Sequence, residues 1–416
     1  MMPLSPIQRS SASRLAALAL VLASSCEARH LATEDATVRD SPPPHDAPDT
    51  RCTTNATLSS LEQTLVGLPA HSWYAVPQTK FADFCRDHGF AADAGKPAEN
   101  CAAVLSAWGG GVWDPAQRQL LIWGGGHADY AGNEVYGFSL TSGKWQRLTP
   151  PTASAQIRDS VDAYADGTPV SRHTYDSMAF LTNRNRMFAT GGARWRDGGS
   201  LRTTWLWNPG DRTWQRLADY PFSVGSGTYY SATAFDSDND RVLLRNDIGL
   251  FAMNLPTGQW SQLANFGEAP YFPNFAQANY RRGVFEPARK LFFAVGGEQP
   301  GGNADVFVWD TATNTDRTAE WQGTGATEVI RASAPGADFD SAADAIVAFR
   351  DGAPAIWSLA TKVWTRSPAT GGPTHTSSNG IYGRWRYAPH VNAFVLVAHP
   401  DEDVWFFKHT AGCGAQ

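Results

Sequence analysis

The stretch Gly109-Gly110-Gly111-Val112-Trp113-Asp114, with Leu120-Leu121-Ile122-Trp123-Gly124-Gly125-Gly126 after it, decides how the rest of the chain is read. It continues through Val135-Tyr136-Gly137-Phe138 to Lys144-Trp145-Gln146-Arg147-Leu148. Each apolar run is too short for a helix, is rich in β-branched and aromatic residues, and is bounded by Gly, Asn, Asp or Pro. That pattern predicts four short antiparallel strands joined by turns. A unit of roughly 45 to 60 residues with this design recurs downstream. The second copy runs through Ser177–Phe180, Met187–Gly192, Thr204–Trp207 and Thr213–Leu217; the third through Thr233–Asp236, Arg241–Leu244, Leu250–Met253 and Gln259–Leu263. Three weaker copies are anchored on Phe285-Glu286, Phe339-Asp340 and Tyr387, the last ending in Val404-Trp405-Phe406-Phe407.

Four short strands cannot bury both faces of their own sheet, so radial stacking of the copies is the economical solution. The last copy lacks a fourth strand, and Ser72-Trp73-Tyr74-Ala75-Val76 is available near the front to complete it. Pairing the two ends in this way would leave no free sheet edge. The expected fold is therefore all-β, a propeller of about six four-stranded blades, with a seventh left open. The Gly-Gly after the second strand and the Trp-bearing fourth strand resemble the kelch or galactose-oxidase-type propeller, over about residues 109 to 409. Such propellers host many activities, so this resemblance implies a fold and no particular function.

Composition agrees: of 416 residues, 42% are hydrophobic and only 18% charged, with 38 Gly, 16 Trp, 21 Phe and 12 Tyr. That mixture favours tight turns between aromatic-rich strands over long helices. A net charge of -6 gives no global support for a nucleic-acid partner. Arg9 and Arg14 precede an apolar run, Leu15 to Ala23, that is too short to span a membrane and reads as an export signal. Leu22-Ala23-Ser24-Ser25-Cys26 resembles a bacterial lipobox, which leaves a lipid anchor through Cys26 and plain cleavage both open. The expected organisation is a signal peptide over 1–25, a Pro-rich flexible linker over 26–58 and one propeller domain over 59–416, a monomer exported to the periplasm or the extracellular space, or held at the outer membrane if Cys26 is lipidated. Four further cysteines in an exported chain suggest disulfides, with Cys85 paired to Cys101 and Cys52 to Cys413.

Strand polarity places certain loop positions on one face of such a ring. His127, Asp129, Tyr130 and Asn133 fall there in the first copy, and Arg172, His173, Arg194 and Arg196 in the second. Tyr229, Tyr230, Arg245, Arg281, Arg282, Arg331 and His399 continue the series. Arg suits paired hydrogen bonds to a carboxylate, and Tyr offers both a donor and a ring surface for a sugar. An acidic polysaccharide is the expected partner. Propeller-type uronate lyases, including those acting on ulvan, are similar in using His, Tyr and Arg on one propeller face. The resemblance implies β-elimination in which Arg245 neutralises the uronate carboxylate, Tyr229 transfers a proton, and His127 or His173 assists. Tyr130, Asn133, Arg194, Arg196, Tyr230, Arg281, Arg282, Arg331 and His399 would bind substrate. The chain departs from that family in carrying its two histidines in successive copies, and in having six units where seven are usual. A noncatalytic glycan- or protein-binding propeller of the cell envelope is the alternative. No cofactor and no metal is expected, and copper-radical chemistry lacks the cysteine it requires, since none stands between Cys101 and Cys413.

Overall fold

The computed structural model describes residues 57–88, 101–221, 231–266, 280–297 and 306–412, all within the compact unit Ala47–Gln416. The leader, Cys26, Cys52, Cys413, Tyr229 and Tyr230 lie outside the described residues.

Six antiparallel sheets account for the six copies. Blade 1 is Gly111–Asp114, Gln119–Ile122, Tyr136–Ser139 and Lys144–Arg147; blade 2 is Met178–Leu181, Arg186–Thr190, Thr204–Trp207 and Trp214–Arg216. Blade 3 is Ala232–Asp236, Arg241–Arg245, Gly249–Asn254 and Gln259–Asn265; blade 4 is Arg282–Glu286, Leu291–Val295, Phe307–Asp310 and Thr315–Asp316. Blade 5 is Gly336–Asp340, Ala345–Phe349, Ala355–Ser358 and Val363–Arg366, extended by a short parallel strand, Thr324–Gly325. Blade 6 combines Trp385–Ala388, Ala393–Leu396 and Val404–Lys408 with Ser72–Val76 from the front of the chain. The first strand of every blade packs against the first strands of both neighbours, and blade 6 meets blade 1, so the ring is closed.

The seam is the fourth strand of blade 6, running antiparallel from Ser72 opposite Lys408 to Val76 opposite Val404. Trp73 anchors it among Phe407, Phe349, Trp385 and Trp405, with ring centroids 5.0 to 6.2 Å away. Ahead of the seam, helix Ser60–Val66 begins with a capping box between Ser59 and Glu62. Glu62 is fully buried and accepts from Arg118 of blade 1 and His390 of blade 6, each at 3.0 Å. One carboxylate thus ties the two blades that flank the closure.

A backbone repeat underlies the six copies. Arg118, Asn185, Asp240, Lys290, Asp344 and Asn392 immediately precede the second strand of their blades, and all are left-handed, with φ from 46° to 59°. Trp108, Tyr175, Tyr280, Ala334 and Tyr382 stand six residues before the end of the first strand, with φ from 48° to 54°. Non-glycine residues pay for this conformation, so it persists only where the surroundings hold it. Here the holding is visible. The Tyr175 amide donates to the Trp108 carbonyl at 2.8 Å, and the Ala334 amide to the Tyr280 carbonyl at 2.9 Å, linking successive blades around the axis. The side chains of Tyr175 and Tyr382 pack with Trp108 and Tyr280 in one cluster just ahead of the first strands. A cavity of about 220 Å³ is lined by Trp113, Thr233, Arg282, Asp338 and Arg386 among others, residues of or next to the first strands of blades 1, 3, 4, 5 and 6.

Between the seam and blade 1 the chain forms helices Phe81–His88 and Ala103–Ser106, joined by the expected Cys85–Cys101 disulfide, Cα to Cα 5.8 Å. No strand of a seventh blade occurs there among the described residues.

Candidate functional site

The loop after the second strand of blade 1 meets the start of blade 2 on the face that strand polarity predicts. Gly124, Gly125 and Gly126 have φ of 131°, 148° and 89°, conformations that side chains other than hydrogen rarely tolerate. Space explains the run as well: a Cβ on Gly126 would lie 2.3 Å from Cδ2 of His173 and 2.7 Å from Oδ2 of Asp129. The backbone passes this close because the loop folds directly over the histidine.

His173 belongs to a two-stranded ribbon, Arg172–His173 with Ala193–Arg194, and is 2% exposed. Its Nε2 lies 3.0 Å from Asp129 Oδ2 and 3.4 Å from His127 Nδ1. The other ring nitrogen, Nδ1, is 3.4 Å from the Tyr175 hydroxyl, and the ring packs on Trp108 with centroids 4.7 Å apart. Burial lowers the His173 pKa, nearby His127 lowers it further, and the bond to Asp129 opposes both. His127 itself is exposed and Asp129 partly so. Beneath the ribbon, buried Arg172 holds the Val170 and Gly191 carbonyls and the Thr203 hydroxyl. The two histidines therefore come together, and Asp129 joins them.

A second feature lies between blades 3 and 4. Arg245 ends the second strand of blade 3, is 8% exposed, and sits over the rings of Phe266 and Phe307 at 4.4 and 4.8 Å. Burial, and then repulsion from Arg281, push its pKa down to about 9. Its Nε and Nη1 are buried without a hydrogen-bond partner among the described residues. Arg281 is also buried and donates to the Ala294 carbonyl.

The remaining predicted residues are distributed less favourably for a ligand. Tyr130 is fully buried and its hydroxyl donates to Glu134 at 2.8 Å. Asn133 is committed to Thr152, Thr168 and the Pro169 carbonyl. Arg194 pairs with Asp197 and Asp162, and Arg196 with Asp159, so acidic residues of the same loops offset part of the basic character. Arg282 is 1% exposed and bonds Asp176 at 2.9 Å. Arg331 is exposed on the short helix Val329–Arg331, and His399 contacts Asp401. Sequence reading puts Asp129 on the face without a role and passes over Trp108. The run Gly126-His127-Ala128-Asp129 is the available signal for the first; nothing local marks the second.

No family model matches the chain, and no curated protein matches it either. The geometry carries a six-bladed, mainly antiparallel propeller, a fold compatible with carbohydrate binding or catalysis. Among the described residues no helix is long and apolar enough to cross a membrane.

Proposed function

We propose that this face of the propeller binds an acidic polysaccharide through a carboxylate or sulfate held by Arg245. The observation that carries the reading is a buried guanidinium with two nitrogens unpartnered among the described residues, set beside a second arginine. An uncompensated buried charge costs several kcal/mol, and an anion meeting its planar fork would offset that cost with paired, charge-assisted hydrogen bonds. Phe266, 39% exposed over the guanidinium, offers a ring surface for the neighbouring sugar.

Binding without turnover is the first reading. The pairing of His173 with Asp129 favours a second one, because a carboxylate that orients an imidazole is a common arrangement for proton transfer. On that reading Arg245 neutralises a uronate carboxylate while Tyr229 and a histidine move the protons of a β-elimination. Titration of the purified domain with uronate, sulfated and neutral polymers tests the first reading. Arg245→Ala should weaken acidic-polymer binding by about tenfold or more, with Arg245→Lys intermediate. Equal affinity in Arg245→Ala and the parent would overturn it. Ultraviolet absorbance from new unsaturated uronate ends, lost in Tyr229→Phe, would establish elimination; tight binding without such ends would exclude it for the polymers tried.

A further inference from the structure

We propose that His127, Asp129 and His173 form a binding site for a divalent transition-metal ion, zinc being the best match. Each of the three residues offers one potential ligand atom, a ring nitrogen of His127 and of His173 and a carboxylate oxygen of Asp129, and the three lie within 4.8 Å of one another. His173 Nε2 stands 3.0 Å from Asp129 Oδ2 and 3.4 Å from His127 Nδ1. Ligands at ordinary Zn–N and Zn–O distances around a tetrahedral ion stand roughly 3.3 Å apart, and the two separations at His173 Nε2 bracket that value.

The hydrogen-bond arithmetic leads the same way. Nε2 of a neutral His173 carries at most one proton, yet both Asp129 and His127 approach that nitrogen. A single N–H can align with only one acceptor, whereas a cation between them meets three lone pairs at once. The outer contacts suit a ligand histidine: Nδ1 faces the Tyr175 hydroxyl, and Trp108 fixes the ring plane. Two imidazoles and one carboxylate favour zinc and its transition-metal neighbours over calcium or magnesium, which take mainly oxygen. Three protein ligands leave a fourth position for water or an anionic oxygen, and the exposure of His127 gives the ion a route in. The sequence alone shows none of this, because the two histidines are 46 residues apart.

The site requires no glycan, so its test is independent of the proposed binding function. Chelator-treated full-length protein without a histidine tag would be titrated with zinc chloride by calorimetry and with cobalt chloride in the visible spectrum. One equivalent of zinc with micromolar or tighter affinity, and a four-coordinate cobalt band, are expected. His127→Ala changes an exposed side chain and should leave the circular dichroism unchanged while weakening zinc binding by about tenfold or more; Asp129→Asn should act in the same direction. Absence of stoichiometric uptake, or uptake equal in the parent and in both variants, would overturn the site.

Discussion

Asp176 and Arg282, 106 residues apart in the chain, form a buried pair at 2.9 Å that joins blade 2 to blade 4 past the first strand of blade 3. The same carboxylate oxygen accepts the amides of Thr233 and Gly283, at 2.9 and 2.7 Å, so three blades converge on one atom. Arg282 adds a bond to the Thr233 carbonyl. Burial raises the Asp176 pKa, while Arg282 and both amides oppose the rise.

Asp176→Asn keeps the volume and one carbonyl oxygen to accept from the amides, but removes the charge that balances the buried Arg282 cation. A loss of about 3 kcal/mol in unfolding free energy is expected, read from urea denaturation. Arg282→Met added to Asp176→Asn should recover part of it, because the stranded charge is then gone. A loss below about 0.5 kcal/mol for the single variant would show that the pair contributes little to the ring.

Closure depends on the front strand, and Trp73 supplies most of its aromatic contact. Trp73→Ala should destabilise the propeller by about 3 kcal/mol and lower cooperativity, with blade 6 exchanging its amides first. Hydrogen exchange resolved by peptide would show the effect over Val404–Lys408. Uniform protection of all six blades in the variant would contradict a seam held by this residue.

Lys408 supplies a test in alkaline solution. It is fully buried, its Nζ donates to the Val391 carbonyl at 2.8 Å, and burial lowers its pKa from 10.5 to about 8, with Asp340 opposing. Between those values the unfolded chain keeps a proton that the folded chain has released. Folding stability contributed by this group therefore rises as pH climbs through that window, and below it the burial penalty is complete. Urea midpoints at about pH 7 and about pH 9.5 should move in favour of the parent relative to Lys408→Met. A difference between the two proteins that is independent of pH would refute the shift.

Much of the fold was legible because each copy states its own strands and turns. Ser72–Val76 could be assigned to the seam because an orphan strand at one end and an incomplete blade at the other leave few alternatives. The site was harder to read, for a local reason. Strand polarity tells which face a loop occupies, but not whether its side chain is already engaged. Arg194 looks free until Asp162 and Asp197 are placed beside it, and Tyr130 until Glu134 is. His127 and His173 were both singled out, yet their meeting depends on how blade 1 leans on blade 2. The left-handed positions ahead of the first strands went unseen because Trp, Tyr and Ala do not announce a positive φ as Gly does.

The seam also determines how the ring responds to tension. Ser72 and Lys408 face each other, and from that rung both chain ends leave the sheet on the same side. A pull that reaches this rung would peel the strand one pair at a time, instead of shearing five pairs together. Helix Ser60–Val66 stands in front of that first rung, clasped to blades 1 and 6 through Glu62. Force arriving from the front of the chain therefore reaches this clasp before it reaches the seam, and the ring meets a pull first at the small helix.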